Sequence, residues 1–493
     1  MTILATRLDM LIGGEKCQAK SGRTTPILNP ATNEVLVEIP AAGEEDVEAA
    51  VAAASRADDS GEWRNMMPTE RGSLVLKAAD ILESRLGEFA EAETNDVGKP
   101  IVESRTFDVP MAIDHLRYYG KLAVDLVGEY IPTLPALVDY TMREPIGVVG
   151  EIIPWNFPLV IACRKLGPSL VAGNCAIMKP SSWAPVTTMM LADVFLEAGF
   201  AAGTVNIISG PGGIVGNAIT QHPNVGKLSF TGSTEVGCTI MRCASSGVKG
   251  ADLELGGKGP AVVFADADLD QAVAGILFGA FLNQGECCCA ATRVCIDSRI
   301  HDAFVEKLLA KCKEIKVGDP MDEETRMGPL VHPDHWKTVR DYVQGGIDQG
   351  ATLLAGGPQR PAGLEKGNYF PITVFGDVKS DMTIYREEIF GPVLTVSAFD
   401  GGPEALIEAA NDTDYGLASS VWTRDLNTAH SAASRIRSGT VWINCHNFVF
   451  SQAPYGGYKL SGLGREMGRE GLLAYTETKN VLAWVGEQPF TWY

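Results

Sequence analysis

From residue 146 onward the chain alternates short apolar strands with helix-length segments, and this alternation constrains the fold more than any other feature. IGVVGEIIP, NCAIMKPSS, TVNIISG and KLSFTGS each have the pattern of a buried strand followed by a polar turn. Strands separated by helices pair in parallel and form a doubly wound α/β sheet, whose ligand crevice lies beyond the carboxyl ends of the strands. The first half of the chain is therefore predicted to hold a nucleotide-sized ligand.

Helical and strand-like patterns extend beyond this sheet in both directions. Two N-terminal helices are predicted, over 44–57 and over 68–92. A second α/β unit is predicted to begin at 266–281 and to continue to about residue 460. Segment 128–144 is strand-like and interrupted by proline, and the tail 478–493 is β-prone and aromatic. An apolar chain end needs a cover, so these two segments are predicted to pair with each other and to contact another subunit.

Composition limits the possible functions. The 493 residues, 45% of them hydrophobic and 21% charged, predict a soluble globular protein of two or three domains. The net charge of −20 is repelled by phosphate backbones and anionic lipid, so neither nucleic acid nor a membrane surface is an expected partner. No secretion signal is recognised at the start, and the longest uncharged apolar run is shorter than the roughly 20 residues that span a bilayer. A cytoplasmic location is predicted.

Three of the eleven cysteines are consecutive, Cys287, Cys288 and Cys289, in the segment NQGECCCAATR. Adjacent side chains diverge and cannot easily converge on one ion, and the other cysteines and histidines lack metal-site spacing, so no metal site is expected. Core packing is a strong explanation for two of the three thiols. A nucleophile would have to face a cleft and be available as thiolate. On the triplet alone, packing and nucleophilic catalysis are equally supported.

Other polar residues follow predicted strands or turns. Glu254 lies in DLELGGKGP, Asn156 in PWNFP, Lys179 in KPSSWAP, and Glu388 with Phe390 in EEIFGPV. Each has a structural explanation: the asparagine as a helix cap, the two glutamates as caps or solvated charges, the lysine as a surface charge. Taken singly, these explanations are favoured.

Taken together, the motifs resemble those of the aldehyde dehydrogenase superfamily of NAD(P)+-dependent enzymes, over essentially the whole chain. The glutamate signature is LELGGKGP, and the cysteine signature F-x-x-x-G-[QE]-x-C runs from Phe281 to Cys288. FTGSTEVG (230–237) and PYGGYKLSGLGRE (454–466) stand in the family's order as well. By contrast, GPGGIVG (210–216) alone is a weak dinucleotide signal.

The resemblance implies an α/β fold of three parts. These are a Rossmann-type cofactor domain (1–125 and 146–256), an α/β catalytic domain (257–460) and a small β oligomerisation element (126–145 and 470–493). A homodimer or homotetramer is implied.

The resemblance also implies a reaction, the oxidation of an aldehyde to the carboxylic acid with NAD or NADP as cofactor. Catalysis is assigned to Cys288 as nucleophile, Glu254 as general base for the hydrolytic water, Asn156 as oxyanion donor together with the Cys288 N–H, and Lys179. Glu286 stands where many relatives have glutamine. A carboxylate facing the thiol would raise its pKa, so Glu286 is expected to point away.

Cofactor and substrate contacts follow by the same matching. Lys179 and Glu388 are expected to hold ribose hydroxyls. Ser182 replaces a glutamate that strict NAD users often have, which leaves the choice between NAD and NADP open. The full cofactor set is Ile153, Trp155, Asn156, Lys179, Ser182, Gly212, Thr231, Gly232, Ser233, Leu255, Glu388 and Phe390.

The expected substrate lining is apolar. It comprises Phe157, Ile161, Cys163, Arg164, Asn447, Phe448, Val449 and Phe450. A medium aliphatic or aromatic aldehyde is predicted, with room left by the small Cys163. Arg164 is expected in a surface salt bridge, although it could bind a substrate carboxylate. The alternatives are a semialdehyde or amino-aldehyde dehydrogenase and a cysteine hydrolase without redox chemistry.

Overall fold

The computed structural model describes residues 7–491, and its elements follow the predicted alternation. The strands are β1 (Met10–Ile12), β2 (Glu15–Cys17), β3 (Thr24–Leu28), β4 (Val35–Pro40), β5 (Leu137–Pro145), β6 (Val148–Ile152), β7 (Cys175–Lys179), β8 (Val205–Ile207), β9 (Lys227–Thr231), β10 (Gly250–Glu254), β11 (Pro260–Val263), β12 (Arg293–Asp297), β13 (Thr352–Ala355), β14 (Thr373–Gly376), β15 (Val393–Phe399), β16 (Ala418–Trp422), β17 (Thr440–Ile443), β18 (Gly462–Leu463) and β19 (Thr476–Trp484).

The α-helices connect these strands and cover the sheets. They are α1 (Glu44–Ser60), α2 (Pro68–Ser84), α3 (Leu86–Val97), α4 (Ile101–Glu103), α5 (Val109–Leu122), α6 (Pro158–Ala172), α7 (Val186–Ala198), α8 (Asn217–Gln221), α9 (Thr234–Ser246), α10 (Leu269–Phe281), α11 (His301–Cys312), α12 (Pro333–Asp348), α13 (Thr383–Arg386), α14 (Gly402–Asn411), α15 (Leu426–Arg435) and α16 (Gly468–Leu473).

The first sheet has the order β18-β10-β9-β6-β7-β8-β1-β2. The run from β10 to β8 is parallel, and β6 to β9 are the four segments whose apolar pattern predicted strands. β7 and β8 are buried throughout, as expected for parallel strands with helices on both faces. The carboxyl ends of β6 to β10 therefore form one edge, along which most of the predicted cofactor residues lie.

The second sheet has the order β13-β14-β15-β12-β11-β16-β17 and faces that edge. Glu254 ends β10, and the chain passes through Gly256 and Gly257 directly into β11. A Cβ on Gly257 would lie 2.3 Å from the carbonyl oxygen of Cys288, which precedes β12. The glycine therefore lets the glutamate segment run against the cysteine segment, and the junction of the two sheets is where the chemistry is placed.

The tail forms the predicted strand pair. β19 is antiparallel to β5 over its whole length, from Thr476 opposite Pro145 to Trp484 opposite Leu137. Residues 492 and 493 of the predicted tail lie outside the described residues. Leu482 and Trp484 are 55% and 46% exposed, so this two-stranded sheet carries uncovered apolar side chains in the single chain.

The helix predicted over 68–92 is in fact two helices. α2 ends at Ser84 and α3 begins at Leu86, with Arg85 between them at φ −109° and ψ 17°. The Arg85 guanidinium makes two hydrogen bonds to the Glu88 carboxylate in the first turn of α3, at 2.9 and 2.8 Å. The break allows α3 to change direction relative to α2. Phe89, in the first turns of α3, is fully buried.

Within residues 7–491, no helix has both the length and the apolar character needed to cross a bilayer.

Candidate active site

A cavity of about 350 Å³ lies between the two sheets and is lined mainly by apolar side chains. It gathers residues from the carboxyl ends of β6, β9 and β10, from the cysteine segment and from the segment before β15. The predicted site residues in its wall are Trp155, Asn156, Phe157, Ile161, Arg164, Thr231, Gly232, Ser233, Glu254, Leu255, Cys288, Asn447, Val449, Glu388 and Phe390. The structure thus brings residues of six distant segments to one cavity.

The three thiols are not equivalent. Cys287 and Cys289 are 7% and 6% exposed, and their sulfurs lie 3.4 Å apart. Cys289 also donates to Asn447 Oδ1 at 3.3 Å. Cys288 is the half-buried member of the triplet, and its Sγ lies 3.7 Å from Tyr455 Oη. Among the three, Cys288 is therefore the thiol with the most room to meet a second molecule.

The pKa values of the three thiols do not by themselves identify the nucleophile. The pKa of Cys288 is raised to about 12, because the contact with Cys289 and burial outweigh a hydrogen bond with Cys287 that lowers it. The pKa of Cys289 is lowered by hydrogen bonds with Cys287 and Cys288, yet that sulfur is turned toward Asn447. A nucleophile must reach its substrate as well as ionise, so access favours Cys288.

Glu254 is 4% exposed, and neither of its carboxylate oxygens has a hydrogen-bond partner among the described residues. Burial, and then the charge of Glu466, raise the pKa of this carboxyl well above its ordinary value. A Cβ on Gly456 would lie 2.8 Å from Glu254 Oε1, so the glycine leaves space beside the carboxyl. A buried, unpaired carboxyl of raised pKa with room to turn is suited to act as a general base.

Behind Glu254 lies a buried ion pair that the sequence interpretation missed. Lys165 Nζ donates to Glu466 Oε1 and to Ser229 Oγ, the latter at 2.9 Å. The two partners are separated by 301 residues. Glu466 lies in the motif PYGGYKLSGLGRE, which points to a role near the site. Nothing in the sequence indicates that Lys165 is its partner.

Asn156 lies in the irregular segment between β6 and α6 and is 2% exposed. Its Nδ2 donates to the carbonyl oxygen of Glu286 at 3.0 Å. An amide nitrogen carries two hydrogens, so one remains for a ligand in the cavity. Asn156 is thus an anchored hydrogen-bond donor beside the cysteine segment.

Glu286 points away from the thiol, as expected. Its Oε1 accepts from the Val331 N–H at 3.0 Å and lies 3.7 Å from His335 Nε2. Burial raises the pKa of this carboxyl well above its ordinary value. It is fully buried outside the cavity wall, so it places no carboxylate against Cys288.

Four predicted cofactor residues lie outside the wall of this cavity, farther along the same sheet edge. Ile153 N–H donates to the Lys179 carbonyl oxygen at 3.1 Å, and Ser182 Oγ donates to the Gly210 carbonyl oxygen at 2.9 Å. Gly212 is exposed two residues later. These residues belong to the ends of β6, β7 and β8, so they extend the crevice away from the thiol.

Lys179 lies apart from the thiol and the Glu254 carboxyl. It is buried at the end of β7, outside the cavity wall, and its Nζ donates to the Pro180 carbonyl oxygen at 2.8 Å. Burial lowers its pKa to about 8. β9 and β6 separate β7 from the β10 strand that carries Glu254. This position fits a cofactor contact and not contact with the reacting atoms.

The substrate lining also differs from the prediction. Phe157, Val160, Ile161 and Arg164 line the cavity at helical spacing, whereas Cys163 is fully buried in the core on another face of α6 and does not line the cavity. The room expected from Cys163 is therefore not in the cavity.

In the loop before PYGG, too, only some of the predicted residues line the cavity. Asn447 and Val449 face the cavity, while Phe448 and Phe450 are 58% and 61% exposed and line adjoining pockets outside it.

Arg164 does not form the surface salt bridge that was expected. Its guanidinium lies over the Tyr455 ring at 5.5 Å and only 3.9 Å from Glu466 Oε2, and its side chain is 12% exposed. The Nε is buried and has no hydrogen-bond partner among the described residues. A mostly buried cation therefore lines the same cavity as Cys288.

Further wall residues were not identified from the sequence. They are Phe107, Met111, Pro154, Val160, Trp183, Gly256, Leu282, His335, Thr338, Tyr342, Ile389 and Tyr455. His335 packs on Trp155 with ring centroids 4.9 Å apart, and its Nε2 lies 2.7 Å from the Phe390 carbonyl oxygen. Tyr455, the neighbour of the thiol, lies in the quoted motif PYGGYKLSGLGRE. Those on α5 and α12 follow no recognisable pattern.

Residues from two α/β sheets line one cavity that holds a thiol and a carboxyl group, an arrangement suited to an enzyme that uses a covalent cysteine intermediate. The profile described as "Aldehyde dehydrogenase family" matches residues 17–481. Rat mitochondrial aldehyde dehydrogenase is 44% identical over 474 residues, which cover 96% of this chain and 91% of the relative. The betaine aldehyde dehydrogenase of Bacillus subtilis strain 168 is 44% identical over 475 residues, covering 96% of each.

A solved structure gives the same result. The NAD+ complex of an aldehyde dehydrogenase from Bacillus cereus superposes with a TM-score of 0.96 at 42% identity, covering 98% of both chains. This chain belongs to the aldehyde dehydrogenase family. The predicted fold class and the predicted enzyme class, an NAD(P)-dependent aldehyde dehydrogenase, are confirmed.

Proposed function

We propose that the enzyme converts its aldehyde to the carboxylic acid through a thioester on Cys288 that is hydrolysed by water activated by Glu254. The observation that carries this proposal is the meeting of a half-buried thiol, an unpaired buried carboxyl and an anchored amide donor in one cavity. Aldehyde oxidation as such follows from the family; the roles of the individual residues are the proposal.

The sheet edge fits a nicotinamide dinucleotide. α9 is a 13-residue helix whose N-cap is Ser233, and the free N–H groups of such an end favour a pyrophosphate. Thr231 Oγ1 is buried and accepts or donates no hydrogen bond within residues 7–491. Glu388 Oε1 accepts from the Gly257 N–H at 2.8 Å, and Lys179 lies toward the other end of the crevice. These residues would hold the dinucleotide, which when bound supplies the hydride acceptor for the oxidation.

The protein's own part begins with Cys288. Its sulfur adds to the aldehyde carbonyl carbon, and the carbonyl oxygen becomes an oxyanion. The second Nδ2 hydrogen of Asn156 and the Cys288 N–H are the donors that would stabilise this charge. Preorganised donors of this kind lower the barrier because they are already oriented when the charge develops.

Release of the product depends on Glu254. After oxidation the acyl group remains on Cys288 as a thioester. Glu254 accepts a proton from a water molecule as the water oxygen adds to the thioester carbonyl carbon. The carbon–sulfur bond then breaks to give the acid, the Cys288 thiolate and a protonated Glu254. The space left by Gly456 lets the carboxyl turn toward that water.

A direct assay tests the proposal. Enzyme, NAD+ or NADP+ and a panel of aldehydes are mixed, and reduced cofactor is followed by its absorbance while the acid is measured separately. Equal amounts of reduced cofactor and acid are expected. Hydrolysis of an ester such as p-nitrophenyl acetate, with no cofactor reduction by any aldehyde, would instead support a cysteine hydrolase.

We also propose that the enzyme accepts NADP+ as well as NAD+, because residue 182 is a serine. The Ser182 hydroxyl donates a hydrogen bond to the Gly210 carbonyl oxygen. A serine has no carboxylate that could bind a ribose hydroxyl or repel a 2′-phosphate. Ser182→Glu is expected to raise KM for NADP+ by at least about tenfold through like-charge repulsion, with less effect on NAD+. Ser182→Gln, of the same size without the charge, is the control. Equal effects of both variants on both cofactors would refute this role.

The apolar wall supports a medium aliphatic or aromatic aldehyde as substrate, and Arg164 favours a second candidate, an aldehyde that carries a carboxylate. Arg164→Leu should lower kcat/KM for succinic semialdehyde by about tenfold or more, the size of a lost charged hydrogen bond. Hexanal and benzaldehyde should be oxidised at nearly unchanged rates. If all three substrates lose activity equally, Arg164 only supports the wall, and the uncharged substrate class is retained.

We also propose a homo-oligomer formed through β5 and β19 and a cytoplasmic location. The exposed apolar side chains of this two-stranded sheet support the first proposal. All eleven cysteines are free thiols, which is usual in a reducing compartment and supports the second.

A further inference from the structure

Lys99 is a fully buried lysine that the mechanism above does not use. It follows Gly98, which ends α3 at φ 93° and whose Cβ, if present, would lie 2.5 Å from the Pro329 carbonyl oxygen. The glycine therefore allows the turn that directs the lysine inward. Its Nζ lies 2.5 Å from Asp108 Oδ1 and 3.8 Å from Glu93 Oε1, both also buried.

The same nitrogen contacts the active-site segment directly. It donates to the carbonyl oxygen of Asn156 at 2.9 Å and lies 4.0 Å from the centroid of the Phe157 ring, which lines the cavity. A cation over an aromatic face is attracted to it. Lys99 thus holds two consecutive residues of a segment that has no regular secondary structure of its own.

Asn283 completes this arrangement from the cysteine side. Its Nδ2 donates to the Asn156 carbonyl oxygen at 2.8 Å and to the Glu286 carbonyl oxygen at 3.2 Å. The latter oxygen also accepts from Asn156 Nδ2. Asn283 is held in turn by its N–H, which donates to Glu103 Oε2 at 3.0 Å, and it stands at φ 49°, a left-handed conformation that asparagine tolerates. Backbone and side chain of Asn156 are therefore both tied to the cysteine segment.

We propose that Lys99 is a positioning residue, which acts through the Asn156 backbone to fix the oxyanion-stabilising amide against Cys288. The inference rests on the proposed role of Asn156. Lys99 itself does not line the cavity; it contacts two residues that do, Asn156 and Phe157. Because the side chain of Asn156 is short, any rotation of its backbone would move Nδ2 out of line with the carbonyl that Cys288 attacks.

Stability alone is a weak reason for this lysine. Taking an ammonium and two carboxylates out of water costs about as much as their attraction returns, so a buried ion pair adds little net stability. Misplacing a catalytic group has a much larger effect than the small net stability of the ion pair, since a displacement of about 1 Å can lower a rate about 100-fold.

The main test is a double-mutant cycle on the full-length enzyme, with Lys99→Met, Asn156→Ala and the double variant. Lys99→Met is expected to lower kcat about 10- to 100-fold with KM for NAD+ nearly unchanged. If the lysine acts through the asparagine, the double variant should be no slower than Asn156→Ala alone. Losses that multiply would overturn the proposal.

Alkylation of Cys288 by iodoacetamide separates positioning from damage to the whole site. That reaction consumes the thiol without creating an oxyanion at a carbonyl, so Lys99→Met should be alkylated at the wild-type rate. A large fall in the alkylation rate would show a disordered cysteine segment and would contradict a role confined to Asn156. Lys99→Arg, which keeps the charge and the donors, should recover part of kcat.

Two further variants keep the test decisive if Lys99→Met does not fold. Asn283→Gly preserves the left-handed backbone and removes the other donor to the Asn156 carbonyl, so it too should lower kcat with little change in KM for NAD+. Arg71→Met is the matched control, because Arg71 is a buried cation that donates to the backbone carbonyl of Val171 at 2.9 Å outside the cavity. It should lower Tm without lowering kcat.

The outcomes distinguish the inference from the function on which it rests. If Asn156→Ala keeps full turnover, the oxyanion role of Asn156 is wrong. If Asn156→Ala loses turnover while Lys99→Met and Asn283→Gly keep it, only the positioning role is wrong.

Discussion

Replacing Cys288 by alanine is expected to abolish aldehyde oxidation, whereas Cys287→Ala and Cys289→Ala should each keep most of the wild-type turnover. Loss of a covalent nucleophile removes about four or more orders of magnitude of rate. The flanking thiols also border the cavity but are less available, because they are buried and their sulfurs contact each other. Reduced cofactor formed with saturating aldehyde is the measurement. Equal losses at all three positions, or an active Cys288→Ala enzyme, would contradict the assignment.

The pH dependence of the free thiol provides a second check. Because the pKa of Cys288 is raised to about 12, the thiolate fraction, and with it the rate of alkylation by iodoacetamide, should rise with pH without a plateau between pH 6 and 10. The Cys287→Ala and Cys289→Ala variants should still be alkylated at residue 288, as peptide mass spectrometry would show. A plateau near neutral pH would mean that the thiol is already ionised.

Glu254→Gln is expected to form one equivalent of reduced cofactor rapidly and then to stall. The amide cannot accept the proton of the hydrolytic water, so steady-state turnover should fall about 10²- to 10⁴-fold while the first oxidation survives. Stopped-flow absorbance gives the amplitude of the burst, and mass spectrometry of the stalled enzyme should find the acyl group on Cys288. Glu151→Gln is the control, since Glu151 is another fully buried carboxyl of the first sheet that does not line the cavity.

The raised pKa of Glu254 determines whether hydrolysis of the thioester becomes faster or slower as the pH rises. The carboxyl must be ionised to act as a base, and burial together with the charge of Glu466 shifts its ionisation upward. Deacylation in the wild-type enzyme should therefore accelerate as the pH rises toward that pKa. In Glu254→Gln this dependence should disappear. An unchanged steady-state rate in the variant would show that another group activates the water.

The sequence predicted the positions that are fixed by strand ends. Because parallel strands present their carboxyl ends along one edge, Asn156, Ser233 and Glu254 could be expected to lie near one another once their segments were recognised as strand–turn units. The choice of Cys288 within the triplet came from the family motif and not from the residue types. The structure adds the physical reason, which is that its neighbours are buried.

Contacts across long stretches of chain could not be predicted. Lys165 and Glu466, or Lys99 and the Asn156 carbonyl, meet only because separate elements pack, and a single sequence carries no signal for such pairs. The rotation of α6 about its own axis could not be predicted either. This rotation decides whether Arg164 or Cys163 faces the cavity. The helix break at Arg85 was hidden because both sides of it share an apolar periodicity.

The missing side chain at Gly456 has a consequence for engineering. The neighbouring loop, with Asn447 and Val449 in the cavity wall, is the natural region to randomise for new substrates. Even a methyl group at residue 456 would occupy the volume through which Glu254 turns, so such a library should leave this one position invariant. Variants that break this restriction would bind their aldehydes and yet accumulate as acylated, dead-end protein.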